Sequence, residues 1–260
     1  MRGVFLKAAC SAWWVLVAAS ADETAAALDA RSRAPIPLAC PGFSGPTGFA
    51  VCADGSMQLA PQDDRVPAAT DNRGVVTWQF GLPSGPPVED RWETPGSPFR
   101  VMVWEQAGIR YTQTFLMTFL DPEAASRPRQ PGGPPLVGLV HLKGENTNSE
   151  YADASARLAF SGSGRAAELK LELGIVYRRE DGTWRVAGGI DVPTEGIRSP
   201  NGPELGFHGH MPPGLTGTMT FKLIRFPLES EAELERLRNL DFDEEYRRAR
   251  RRWQDGGGRP

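Results

Sequence analysis

Cysteine and histidine are scarce in this sequence, with three of each among 260 residues. So few cysteines exclude a dense disulfide scaffold. Cys40 and Cys52 alone make no zinc site, and the histidines lie far from them along the chain. A large excess of positive or negative charge is lacking too. The formal net charge is -3, which argues against a general nucleic-acid binder. Past residue 21 no stretch is long or apolar enough to cross a membrane as a helix. No G-x-S-x-G elbow, phosphate-binding glycine loop or Ser/His/Asp set stands out. Glycine (29) and proline (23) make up a fifth of the chain, a loop-rich composition that stops short of disorder.

What is present begins with a targeting pattern. Arg2 and Lys7 precede "AACSAWWVLVAA", and Ala19-Ser20-Ala21 follows as a small-residue cleavage site. This predicts a signal peptide over 1–21, a mature chain from Asp22 and export to the periplasm or the extracellular space. An uncleaved anchor is the alternative. Residues 22–38 are alanine-rich and charged, and read as a mobile leader with no fold of its own. Cys10 would leave with the signal. Cys40 and Cys52 flank "PGFSGPTGFAV". In an exported chain they are most simply a disulfide, the alternative being two unpaired thiols.

From about residue 48 the hydrophobic period becomes 2. "GVVTWQF" (74–80), "FRVMVWE" (99–105) and "GIRYTQTFLMTFL" (108–120) read as strands, the last two a hairpin closed over "QAG". In the second arm Ile109, Tyr111, Phe115, Met117 and Phe119 share one face; Arg110, Thr112, Thr114 and Thr118 share the other. That predicts a sheet with one core face and one polar face. "PEAASRPRQPGGPP" (122–135) reads as a long surface loop. "LVGLVHLKGENTN", "ASARLAFSG" and "LTGTMTFKLIRF" (215–226) follow as strands. "AELKLELGIVY" reads as one strand with Leu169, Leu171, Leu173 and Ile175 on one side. Asp181-Gly182 marks a hairpin turn. About eleven strands without helices between them indicate an all-β sandwich or barrel.

Residues 229–254 differ. Ser230 with Glu233 forms a capping box, Asp241 with Glu244 offers a second cap, and Leu234 and Leu237 make one apolar side. Phe242, Tyr246, Ala249 and Trp253 recur at helical spacing. Arg247, Arg248, Arg250, Arg251 and Arg252 cover the rest. The stripe packs back on the sandwich or serves a domain elsewhere. The expectation carried forward is a loosely held connector.

Chemistry-bearing candidates are few. His208 and His210 share a strand face and could bind one metal ion, with His141 as third ligand only if the fold brings it near. An acidic pair for glycoside hydrolysis would come from Asp90, Glu93, Glu105, Glu145 or Glu150. Trp78, Trp92, Trp104 and Trp184 could stack on sugar rings, because the C–H face of a pyranose is apolar. Each has a plainer role: loop histidine, surface carboxylate, core indole.

"FRVMVWEQAGIRYTQTFLMT", "LVHLKGENTN", "ARLAF" and "HMPPGLTGTMTFKLIRFPL" occur in that order, followed by the charged helical tail. This order resembles the β-sandwich at the N-terminus of bacterial six-hairpin glycosidase-like proteins. It covers roughly residues 74–254 and carries the V-x-L-x-x-x-N-T pattern of that family, with a segment similar to its W-x-x-G-I-x-Y-x-Q pattern in which three residues, not two, separate Trp104 from Gly108. The resemblance implies a two-sheet antiparallel supersandwich over 39–228, a helical linker over 229–254 and a disordered tail over 255–260. In that family the linker leads into an (α/α)6 toroid that carries the catalytic carboxylates. Seven residues follow Trp253, so no toroid is expected in this chain and no catalytic residue is carried over. The expectation is a non-catalytic accessory domain without cofactors. Its partners would be carbohydrate and a toroid in another chain, with neither nucleic acid nor membrane. The alternatives are a stand-alone glycan-binding module and a metal-dependent enzyme using His208 and His210.

Overall fold

The computed structural model describes residues 36–38, 49–59, 76–80, 86–95, 97–121, 136–162, 165–180, 182–191, 197–199, 201–224, 228 and 230–255. The predicted signal peptide, the 122–135 loop and Cys40 lie outside them. The strands form two antiparallel sheets, neither closed on itself. The first runs β1 (Ile36–Pro37), β2 (Phe49–Val51), β3 (Met57–Leu59), β4 (Val76–Phe80), β9 (Ala152–Gly162), β16 (Glu204–Met211) and β14 (Ile197–Ser199), with β10 (Arg165–Ala166) beside β9. The second runs β15 (Asn201–Gly202), β11 (Leu169–Glu172), β12 (Ile175–Glu180), β13 (Thr183–Asp191), β17 (Thr216–Ile224), β8 (Leu136–Asn146), β7 (Ile109–Phe119), β6 (Arg100–Gln106) and β5 (Glu89–Trp92). The fold is therefore an all-β sandwich, not a barrel.

Period-2 alternation builds the space between the sheets. Phe49, Val51, Met57, Leu158, Phe160, Leu205 and Phe207 of the first sheet meet Met102, Trp104, Tyr111, Phe115, Met117, Val140, Phe221 and Leu223 of the second. Two-residue turns set the register. Ala107-Gly108 joins β6 to β7 with φ of 49 and 77 degrees, and Gln106 faces Ile109 across it. Both central residues have positive φ, the requirement of the tightest hairpin turns. The expected hairpin is thus present.

Two expectations are corrected. "AELKLELGIVY" is not one strand, because the chain reverses at Leu173-Gly174, with φ of 49 and 76 degrees. Leu173 sits at the turn tip, 84% exposed, and not on a core face. The glycine that permits the turn overrides the alternation around it. The leader 22–38 is not wholly without fold: Ile36 and Pro37 pair with Val51 and Ala50, and Leu38 is fully buried.

The largest correction concerns the tail. Helices α1 (Glu231–Asn239) and α2 (Phe242–Asp255) are not a loose connector. They lie on the outer face of the second sheet. Leu237, Leu240, Phe242 and Ala249 close over Leu116, Leu120, Val137, Leu139, Ile175 and Ile224. Each large side chain buried there contributes about 1.5–3 kcal/mol. This explains why the predicted polar face of β7 ends halfway. Its first half alternates buried and half-buried residues, whereas Phe115–Phe119 are buried throughout. β8 mirrors this, its first five residues being buried and the rest alternating. The sandwich becomes three layers where both strands are doubly apolar. Both expected caps are present: Ser230 and Glu233 exchange hydrogen bonds, and Glu244 N donates to Asp241 Oδ1 at 2.8 Å.

Candidate functional site

The candidate tryptophans stand in different settings. Trp104 is 2% exposed in the inter-sheet core. Trp92 is half-buried on the edge strand β5, opposite Arg100. For Trp78 the backbone register alone is described, opposite Met57 and Phe160. Trp184, 36% exposed, lies near the Lys170 ammonium, which also sits over Tyr177. Cys52 is a free, half-buried thiol whose pKa burial pushes up. Its expected partner Cys40 lies outside the described residues.

The carboxylates singled out in the sequence are largely occupied. Asp90 takes both Nε and Nη2 of the buried Arg100, at 2.9 and 2.7 Å, and Arg100 also donates to Val51 O of the opposite sheet. Glu105 shares Arg110 with Glu89, Glu145 pairs with Lys143, and Glu93 accepts from the Tyr246 hydroxyl. Desolvation, then the Glu93 hydrogen bond, pushes the Tyr246 phenol up to about 12. These contacts make Asp90 and Glu93 clamps for the edge strand and for α2.

His208 and His210 do share the solvent face of β16, and both are exposed. His141 does not join them. It lies on β8 in the other sheet, its Nδ1 3.0 Å from Thr220 Oγ1 and its ring stacked on Phe242 at 4.4 Å. Among the described residues no group of three or more His, Cys, Asp or Glu side chains is placed to hold a metal ion.

His210 instead belongs to a cluster that the sequence reading missed. Its ring stacks on Tyr151 at 4.8 Å between centroids and 12 degrees between planes. Its Nδ1 lies 2.7 Å from Oδ1 of Asp153, its register partner on β9. Tyr151 is 62% exposed, the most exposed aromatic among the described large hydrophobic residues. The backbone beneath is held firmly. Asn146, buried, donates from one amide nitrogen to Glu150 O at 2.8 Å and Met211 O at 2.7 Å, and its Oδ1 accepts from Asn148 N. One side chain thus fixes the neighbours of both stacked rings. Thr147 N and Oγ1 both donate to Gly108 O, and Ser155 N donates to Tyr111 Oη at 3.1 Å. A Cβ on Gly108 would overlap Asn148 at 1.8 Å. Gly108, Tyr111, Asn146 and Thr147, motif residues in the sequence, therefore converge under this one surface. The signal available was "NTNSEYAD", a polar turn ending in an exposed aromatic.

A second unanticipated feature locks the helices. Lys222, 1% exposed, donates to Leu237 O at 3.1 Å and Arg238 O at 2.8 Å, and pairs with Asp191 at 2.8 Å. A strand ammonium satisfies the end carbonyls of α1, where the helix dipole favours a cation. No protein-family model matches the chain, and no curated protein matches it either.

Proposed function

We propose that this chain is an exported, non-catalytic β-sandwich domain of a carbohydrate-active protein, supporting or shaping a glycan site. The observation that carries this reading is the convergence of the resemblance motifs. Trp104, Gly108, Tyr111 and Asn146 act together to build one end of the sandwich and the exposed surface upon it. Its assignment as non-catalytic is supported by the ion pairs that occupy Asp90, Glu105 and Glu145. The basic-then-apolar start of the sequence supports export. α1 and α2, seated on the second sheet, would form a rigid block against which a toroid in another chain could rest, with Arg247, Arg250 and Arg251 outward.

A stand-alone glycan-binding module is the second reading, favoured by the exposed Tyr151. The test is to incubate the purified protein with insoluble polysaccharides and a panel of synthetic glycosides. Retention on at least one polysaccharide without turnover is expected. Turnover that disappears when an acid within 48–226 is replaced would overturn the non-catalytic assignment. Failure to be retained on any polysaccharide would overturn the carbohydrate assignment.

A further inference from the structure

We propose that Tyr151, His210 and Asp153 form a stacking subsite for a neutral pyranose, an assignment that rests on the carbohydrate reading above. Tyr151 is 62% exposed, and one face of its ring is backed by the near-parallel His210 ring. A flat, apolar and rigid face suits the C–H face of a sugar ring, as the aromatic quadrupole favours the slightly positive C–H edges. Hydroxyl recognition stands beside it. Asp153 Oδ1 accepts a hydrogen bond from Nδ1 of His210. In the neutral ring this leaves Nε2 as an acceptor, with the tautomer fixed by the carboxylate. The second oxygen of Asp153 remains for a sugar hydroxyl, and a charged acceptor makes the stronger hydrogen bond.

Preorganisation separates this cluster from an incidental surface stack. Asn146 ties the backbone on one side of Tyr151, through Glu150 O, to the backbone next to His210, through Met211 O. Tyr111 holds the backbone of Ser155, two residues from Asp153. All three side chains are thus mounted on backbone fixed by buried polar groups, which lowers the ordering cost of binding. Charge sets the class of sugar. Asp153 and the neighbouring Glu150 are exposed carboxylates, and a uronate ring would meet both of them. One step along the face, Ser155 stands opposite His208, extending the polar row in the direction a second sugar ring would take.

The experiment is calorimetric titration of the full chain with cellohexaose, maltohexaose, xylohexaose, mannohexaose and a galacturonic-acid hexamer. At least one neutral oligosaccharide is expected to bind and the uronate is not. Tyr151→Ala should weaken that binding about tenfold, equivalent to ~1.4 kcal/mol, while Tyr151→Phe and the distant Trp184→Ala retain it. The His210 imidazole resonances should shift on addition of the sugar. Binding that survives Tyr151→Ala with unmoved His210 resonances overturns the subsite and leaves the carbohydrate reading standing. Preferential binding of the uronate overturns the neutral assignment. An absence of binding by all five overturns the subsite together with the reading it rests on.

Discussion

Lys222 and Leu173 depart most from their local pattern, in opposite directions. Lys222 is a charged residue between Phe221 and Leu223, at a position that faces the helices. It is tolerated because three oxygens surround it, two of them carbonyls that α1 leaves unsatisfied. Lys222→Met keeps most of the volume and removes the donor. Leu237 O and Arg238 O then lose their partner, so a loss of about 1–3 kcal/mol is expected, measured by urea unfolding. An unchanged midpoint would mean that water replaces the ammonium without cost. Leu173 is the reverse case, an apolar residue held at φ 49 degrees in water. A side chain with a Cβ pays roughly 1–2 kcal/mol in that conformation, and asparagine pays less. Leu173→Asn should therefore stabilise by about 1 kcal/mol and raise Tm; a lower Tm would show that the leucine makes an apolar contact.

At the scale of elements, α2 couples its seat to pH. His141 lies between β17 and Phe242, and burial holds its pKa below 6.5, opposed in part by Asp243 and Asp241. A histidine with a depressed folded pKa contributes stability above the unfolded value that is lost as pH falls through the folded one. Stability should thus decline below about pH 6.5, with the decline located in the α2 seat. The check is Tm against pH for the protein and for His141→Phe, which should flatten the slope in that window; parallel slopes would exclude His141 as the cause. Most strands, the Ala107-Gly108 hairpin and the caps at Ser230 with Glu233 and Asp241 with Glu244 were legible because period and turn residues act locally; the Leu173-Gly174 turn was hidden by the alternation running through it. The second layer was less so. "TFLMTFL" and "LVGLV" carry the signal of a doubly buried sheet end, yet Arg110, Thr112 and Thr114 in the same strand point to a wet face. Both are true, at different ends of β7. The Tyr151 surface was illegible for another reason. Its rings meet only through the pairing of β9 with β16, which no spacing between residues 151 and 210 encodes.

For the molecule as a whole, the second sheet belongs to two cores. On one side it packs against the first sheet through Trp104, Phe115 and Phe221; on the other it packs against the helices through Leu116, Val137 and Ile224. Sheet and helices should then unfold together. The outer strands give little independent hold, since β1, β14 and β15 are two or three residues long, and short edges also limit pairing between copies. With Trp253 and the other tryptophans replaced by phenylalanine, Trp104 fluorescence reports the inter-sheet core, and dichroism at 222 nm follows α1 and α2. Coincident transitions in urea are expected, as for a single cooperative unit. Truncation after Pro227 strips the cover from Leu116, Val137, Leu139 and Ile224, and should cost several kcal/mol at about 1.5–3 kcal/mol for each large apolar side chain. It should also bring self-association through the bared face, visible by light scattering. If the helical signal is lost well before the tryptophan signal, and the truncated chain keeps its midpoint, α1 and α2 act as a detachable connector whose partner lies elsewhere.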